Sequence, residues 1–141
     1  MNMNDVLQIL RDRFSLEPFA RTLGIKIAEL EPGHATVTMR TTNEMNNLFA
    51  TTHGGAIYSL LDAAFELTVN SHGTVAVALQ VNVNYLSAAL PGEMLTAEGR
   101  EVNRSRKISA CEIRVTGEDG RLIATSQTLA FRKKDPLPFL V

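Results

Sequence analysis

A chain of 141 residues is the length of one compact domain and leaves little room for a second. Hydrophobic residues make up 45% and charged residues 21%, ordinary values for a globular protein and far from those of a disordered one. The formal net charge of -1 supplies no positive field to gather nucleic acid or an anionic membrane surface, so neither is expected as a partner.

Residues 1–20 read as an amino-terminal helical segment. Val6, Leu7, Ile9, Leu10 and Phe14 give it an apolar stripe that ends before Pro18. This end lacks the basic start and continuous apolar run of a secretory signal, and no stretch has the length of a membrane span. The expected compartment is the cytoplasm. Residues 21–134 form the main domain, and residues 135–141 a tail that Pro136 and Pro138 should keep out of the last strand. Its apolar end would pack on a neighbouring subunit or fray.

Residues 23–30 read as a strand, and Glu31-Pro32-Gly33 as a turn. Ala35, Val37 and Met39 then alternate with Thr36, Thr38 and Arg40 at the two-residue period of an antiparallel strand. A polar loop leads to the best helix candidate, beginning at the paired glycines 54 and 55 and stopping near Gly73. Ile57, Leu60, Leu61, Ala64, Leu67 and Thr68 share one side of it; Gly55, Ser59, Asp62, Glu66 and Asn70 share the other. Beyond it, Val75, Val77, Leu79, Val81, Val83 and Tyr85 alternate with Ala76, Ala78, Gln80, Asn82 and Asn84. Further strands follow over residues 94–102, 108–116 and 122–132. One helix cannot cover so broad a sheet, which calls for a homo-oligomer.

The run Asn47-Leu48-Phe49-Ala50-Thr51-Thr52-His53-Gly54-Gly55 carries the candidate chemistry. A helix start exposes free N–H groups at its positive dipole end. Glycine there lets a ligand oxygen come close; the same pair also serves a tight turn and close packing. Donors aimed at a carbonyl that gains charge during attack stabilise the transition state over the ground state. Asp62 then reads as a general base, as a nucleophile, or as part of a solvated helix face. Gly54 and Asp62 are eight residues apart, about 12 Å along a helix axis, so both can meet one carbonyl only if two subunits contribute.

Glu66 is either a solvent-facing charge or, if close and dry, a like charge that perturbs Asp62. His53 braces the loop or touches a bound group. His34 and His72 have no evident chemistry, and without HExxH-type spacing no metal site is expected. Cys111 shares a strand face with Ile113 and Val115 and reads as a small buried hydrophobe rather than a nucleophile. Arg104, Arg106 and Lys107 either end a solvated hairpin or hold phosphates.

The histidine–glycine–glycine run is followed by a carboxylate nine residues after the histidine and preceded by an asparagine six residues before it. In this combination the sequence resembles the PaaI-like acyl-CoA thioesterases of the hot-dog superfamily, over roughly Leu23 to Arg132. The resemblance implies an α+β fold with a five- or six-stranded antiparallel sheet wrapped around one long central helix, and a dimer or dimer of dimers. It implies hydrolysis of an acyl-CoA thioester to the acid and CoA. Gly54 N–H would polarise the carbonyl, and Asp62 of the opposing subunit would act as base or nucleophile. Asn47 would hold water or substrate, with His53 in support. Gly55 and the Arg104-Ser105-Arg106-Lys107 segment would meet the CoA moiety, with no cofactor beyond CoA as part of the substrate. Tyr58, Phe65, Leu48 and Phe49 would line the acyl groove. The rival readings are a hydratase or dehydratase of acyl thioesters and a non-catalytic acyl-CoA-binding protein.

Overall fold

A computed structural model describes residues 1–140. Its elements run α1 (Met3–Phe14), α2 (Pro18–Leu23), β1 (Lys26–Glu31), β2 (His34–Arg40), a 3₁₀ turn at Asn43–Met45, α3 (Gly54–Asn70), β3 (Thr74–Val81), β4 (Asn84–Tyr85), β5 (Met94–Arg104), β6 (Ile108–Thr116) and β7 (Leu122–Pro136). The strands form one antiparallel sheet in the order β1-β2-β5-β6-β7-β3, with the two-residue β4 also on β7. Six strands therefore make the continuous path. Its curled inner face wraps α3, as the α+β hot-dog expectation requires. No helix of the described residues is long and apolar enough to cross a membrane.

Burial follows the alternation. Ala35, Val37 and Met39 of β2, Leu95 and Ala97 of β5, and Ile113 and Val115 of β6 point inward against Leu60, Leu61, Ala64 and Leu67 of α3. Cys111 lies in the same inner layer, and burial pushes its thiol pKa up, so it is a packed hydrophobe as expected. Gly99 of β5 sets how closely α3 sits. A Cβ there would stand 2.6 Å from Thr68 Oγ1 and 3.3 Å from the Ala64 carbonyl oxygen.

Two local expectations need correction, and a third point, which face of β3 turns inward, is one the alternation leaves open. First, the helical segment does not end at residue 20: Pro18 opens a second short helix that closes at Gly24, which adopts the left-handed conformation suited to a helix end. Second, the face that carries Val77 and Leu79 does not turn inward. Ala76 is buried, whereas Val77 and Leu79 are 41% and 56% exposed. A register shift between Ala78 and Gln80 then changes the phase, so that Val81 and Val83 pack against the core. Third, the tail continues β7. Pro136 pairs with Thr74 at the strand's last position, where a missing N–H costs little, and Leu137 N–H at once donates to the Gly73 carbonyl at 3.0 Å. Leu137 is buried, and Phe139 packs on the chain's own α1 with the Arg13 guanidinium 5.4 Å from its ring centre. Neither fraying nor a neighbouring subunit is needed to hold these residues.

Candidate active site

α3 begins where the sequence puts the two glycines. His53 is its N-cap, and its Nδ1 accepts the Gly55 N–H at 2.8 Å. Any proton on the ring is therefore on Nε2. A Cβ on Gly55 would lie 3.0 Å from His53 Nδ1 and press on the imidazole, so the ring itself favours glycine at that position. Gly54 differs in both respects. Its N–H has no acceptor among the described residues, and a Cβ there would make only ordinary contact with the Tyr85 ring at 3.4 Å. The chain's own packing does not demand glycine at 54.

The preceding loop is held from within. Asn47 Oδ1 accepts from the N–H groups of Phe49 and Thr51 at 2.8 and 3.1 Å, and Asn47 Nδ2 donates to Thr51 Oγ1 at 2.9 Å. These bonds fold residues 47–51 into a tight turn in which Ala50 takes a φ of 60°. That value is unfavourable for any residue with a Cβ. The turn presents Leu48 and Phe49 to the outside at 98% and 82% exposure. His53 N–H bonds the Met45 carbonyl, and Thr52 N–H bonds the Ala89 carbonyl, fixing the loop to the body of the domain.

Asp62 lies two turns further along α3, half-buried, and accepts no hydrogen bond from the described residues. Burial pushes its pKa above the ordinary aspartate value, and the nearby charge of Glu17 raises it further. Glu66, one turn beyond, keeps an exposed side chain on the single chain, yet partial desolvation first, and then the neighbouring carboxyl groups of Glu17 and Asp62, raise its pKa to about 8. Tyr58 stands one turn before Asp62, and its hydroxyl pKa is raised by burial and by the Asp62 charge. The structure thus gathers Tyr58, Asp62, Glu66 and Glu17 along one side of α3. Gly54 and its free N–H remain at the helix start, about 12 Å away along the axis.

Two participants escaped the sequence reading. Tyr85 donates its hydroxyl to the Gly54 carbonyl at 3.1 Å, anchoring the helix start from the segment after β3. Glu17 lines the same cavity as Glu66, 49 positions further along the chain, a neighbourhood with no local signature. The Glu17-Pro18 pair marks a helix start, but not where its carboxylate turns. Phe65, expected in the acyl groove, is instead 2% exposed in the core; Tyr58, Leu48 and Phe49 do remain accessible.

Arg104, Ser105, Arg106 and Lys107 lie at the β5–β6 hairpin end, all exposed. Ser105 N–H bonds the Ile108 carbonyl at 2.8 Å, and Arg132 donates to the Ser105 and Arg106 carbonyls, which shapes the turn. No carboxylate of the described residues pairs with Arg104, Arg106 or Lys107.

A curled sheet on one helix, with a glycine N–H open at the helix start and a desolvated carboxylate further along it, has clear relatives. Residues 49–124 match the family model described as the thioesterase superfamily. A putative esterase of Archaeoglobus fulgidus is 38% identical over 82% of this chain and 75% of its own length. The acyl-coenzyme A thioesterase PaaI of Escherichia coli is 32% identical over 74% of this chain and 75% of its own length. The solved structure of the E. coli PaaI protein superposes with a TM-score of 0.90, covering 94% of this chain and 96% of that one at 27% identity. A hypothetical thioesterase from Streptococcus pneumoniae, solved with coenzyme A, superposes with a TM-score of 0.76 over 80% of this chain and 88% of its own at 28% identity. The chain belongs to the thioesterase superfamily, among the PaaI-like enzymes of the hot-dog fold.

Proposed function

We propose that this enzyme hydrolyses an acyl-CoA thioester to the carboxylic acid and CoA, in a homodimer whose sites each draw on both protomers. The observation that carries the reading is the contrast between the two glycines: His53 satisfies Gly55 N–H, and Gly54 N–H stays free at the positive end of α3. Gly54 N–H receives the thioester carbonyl oxygen and holds the charge that develops on it. Asp62 of the partner subunit takes a proton from water as it attacks, or attacks the carbonyl itself to form a mixed anhydride that water then opens. In either course the C–S bond breaks, the electron pair leaves with sulfur, and CoA departs as its thiol once protonated. A carboxylate raised by burial suits the first course, because its proton affinity lies closer to working pH.

Asn47 contributes by shaping the loop before Gly54, with one amide N–H left over for water or substrate. His53 holds the helix start. Gly55, with its N–H already bonded to His53, gives the CoA arm room without offering it a donor. The unpaired Arg104, Arg106 and Lys107, with Ser105 between them, make charge-assisted bonds to CoA phosphates. The coenzyme A held by the S. pneumoniae relative is consistent with that use. The open β3 edge, with Val77 and Leu79 exposed on it, supports a dimer in which two such edges would pair.

A hydratase needs histidine at the reacting carbon, yet Nδ1 of His53 is spent on Gly55 and no carboxylate of the described residues orients the ring. A binding protein would be indifferent to the acid. Asp62→Asn is expected to lower kcat for free-thiol release by about 10²-fold or more. Unchanged turnover in that variant would overturn the hydrolytic scheme.

A further inference from the structure

Two glycines in succession at a helix start carry more backbone freedom than any other pair, so a donor among them must have its direction fixed from outside. The His53 carbonyl accepts from the Ala56 and Ile57 N–H groups at 3.0 and 3.3 Å, which holds the peptide group that ends in Gly54 N–H. The next peptide group is held at both ends by side chains. The Gly54 carbonyl accepts the Tyr85 hydroxyl at 3.1 Å, and Gly55 N–H donates to His53 Nδ1 at 2.8 Å. Because a peptide group is planar, gripping its oxygen and its nitrogen sets the backbone torsion on either side of it. Of the polar atoms in these two groups, only Gly54 N–H has no partner among the described residues.

Tyr85 comes to this place from the sheet. It sits on the short strand β4, where it pairs with the buried Ala124 of β7, and the next N–H, that of Leu86, bonds the Ile123 carbonyl at 2.8 Å. Its residue is 52% exposed, so core packing does not account for it. The ring lies against the open side of Gly54. A Cβ at that glycine would meet Cε1 and Cζ of the ring at 3.4 Å and the hydroxyl oxygen at 3.5 Å. A paired strand thus carries one stiff side chain to the start of α3, and groups carried on strands hold their geometry better than groups on loops.

We propose that Tyr85 is a positioning residue for the reaction: its hydroxyl and the His53 imidazole clamp the peptide group between Gly54 and Gly55, and the clamp aims Gly54 N–H at the thioester carbonyl. The proposal rests on the reading of Gly54 as donor to that carbonyl. A donor already aimed stabilises charge as it develops, with no reorganisation at the moment of attack. The clamp therefore acts on turnover more than on substrate binding.

The test uses Tyr85→Phe, which keeps the ring and removes the hydroxyl, with Gly54→Pro beside it. Free-thiol release from one acyl-CoA gives kcat and KM, and NMR follows hydrogen exchange of the α3 amides in the unliganded proteins. Tyr85→Phe is expected to lower kcat about three- to tenfold, the range one hydrogen bond supplies, and to leave KM within about twofold. Gly55 N–H is expected to exchange faster by a similar factor, while amides in the middle of α3, such as that of Leu61, keep their wild-type rates. A kcat within about twofold of the wild type overturns the proposal. So does a loss of kcat with Gly55 exchange unchanged, or with exchange raised throughout α3, since the hydroxyl would then act on substrate or on stability and not through the clamp. Gly54→Pro judges the underlying reading separately. Turnover kept in that variant removes Gly54 as donor, whereas turnover lost there with Tyr85→Phe unaltered removes only the clamp.

Discussion

Glu66 has the largest resolved displacement of an acid in this chain, and the sign of its effect on stability follows from linkage. Its folded-state pKa is raised from 4.5 to about 8, so the folded protein holds a proton that the unfolded chain has already released across that interval. Below the interval both states are protonated and there is no penalty. As pH climbs through it the folded state loses ground, and the loss is complete above about 8. Thermal unfolding of the wild type is therefore expected to shift to lower temperature between pH 5 and 8, with Glu66→Gln falling less over the same range. Parallel curves for the two proteins would contradict the raised pKa of Glu66. Asp62 and Gly54 were legible as residues because their types and spacing are unusual for a helix face. The nearness of Glu17 to Glu66 was not, since nothing near position 17 announces a neighbour at position 66.

At the scale of elements, legibility depended on whether burial kept a constant phase. β2 alternates without interruption, and its inward set of Ala35, Val37 and Met39 is the one its pattern implies. α3 likewise has its expected start and its expected buried stripe. β3 keeps its alternation, but the alternation alone does not say which face turns inward. Small Ala76 turns inward, Val77 and Leu79 turn out, and the shift near Ala78 hides the change of phase. Hydrophobicity alone does not distinguish a core face from a face awaiting a partner. Close packing of α3 on β5 offers a direct check. Gly99→Ala places a methyl 2.6 Å from Thr68 Oγ1, which is already bonded to the Ala64 carbonyl at 2.7 Å. A loss of about 1–3 kcal/mol is expected in urea denaturation. A neutral result would mean that α3 can lift from the sheet without cost.

For the whole molecule, the single chain has features that a second copy would complete. β3 is an open sheet edge with exposed apolar side chains, and Leu48 and Phe49 stand nearly free beside the helix start. Along one copy of α3 the free N–H and the carboxylate are too far apart for a single carbonyl. On the proposed reading, a two-fold dimer would relate these incomplete halves and give two equivalent sites of mixed parentage. The length of the helix makes the gap between the two groups legible from the sequence; which face of β3 is left uncovered is not.

Subunit complementation probes that arrangement most directly. Gly54→Pro removes the N–H at a helix position that tolerates proline, and Asp62→Asn removes the carboxylate; each variant alone is expected to be nearly inactive. Unfolded and refolded together in equal amounts, they form mixed dimers in which one site retains both an intact Gly54 and an intact Asp62. Free-thiol release is then expected to recover to about a quarter of the wild-type rate, the share set by random pairing into two-fold dimers. Mixed dimers that form but remain as inactive as their parents would contradict a site built across two subunits.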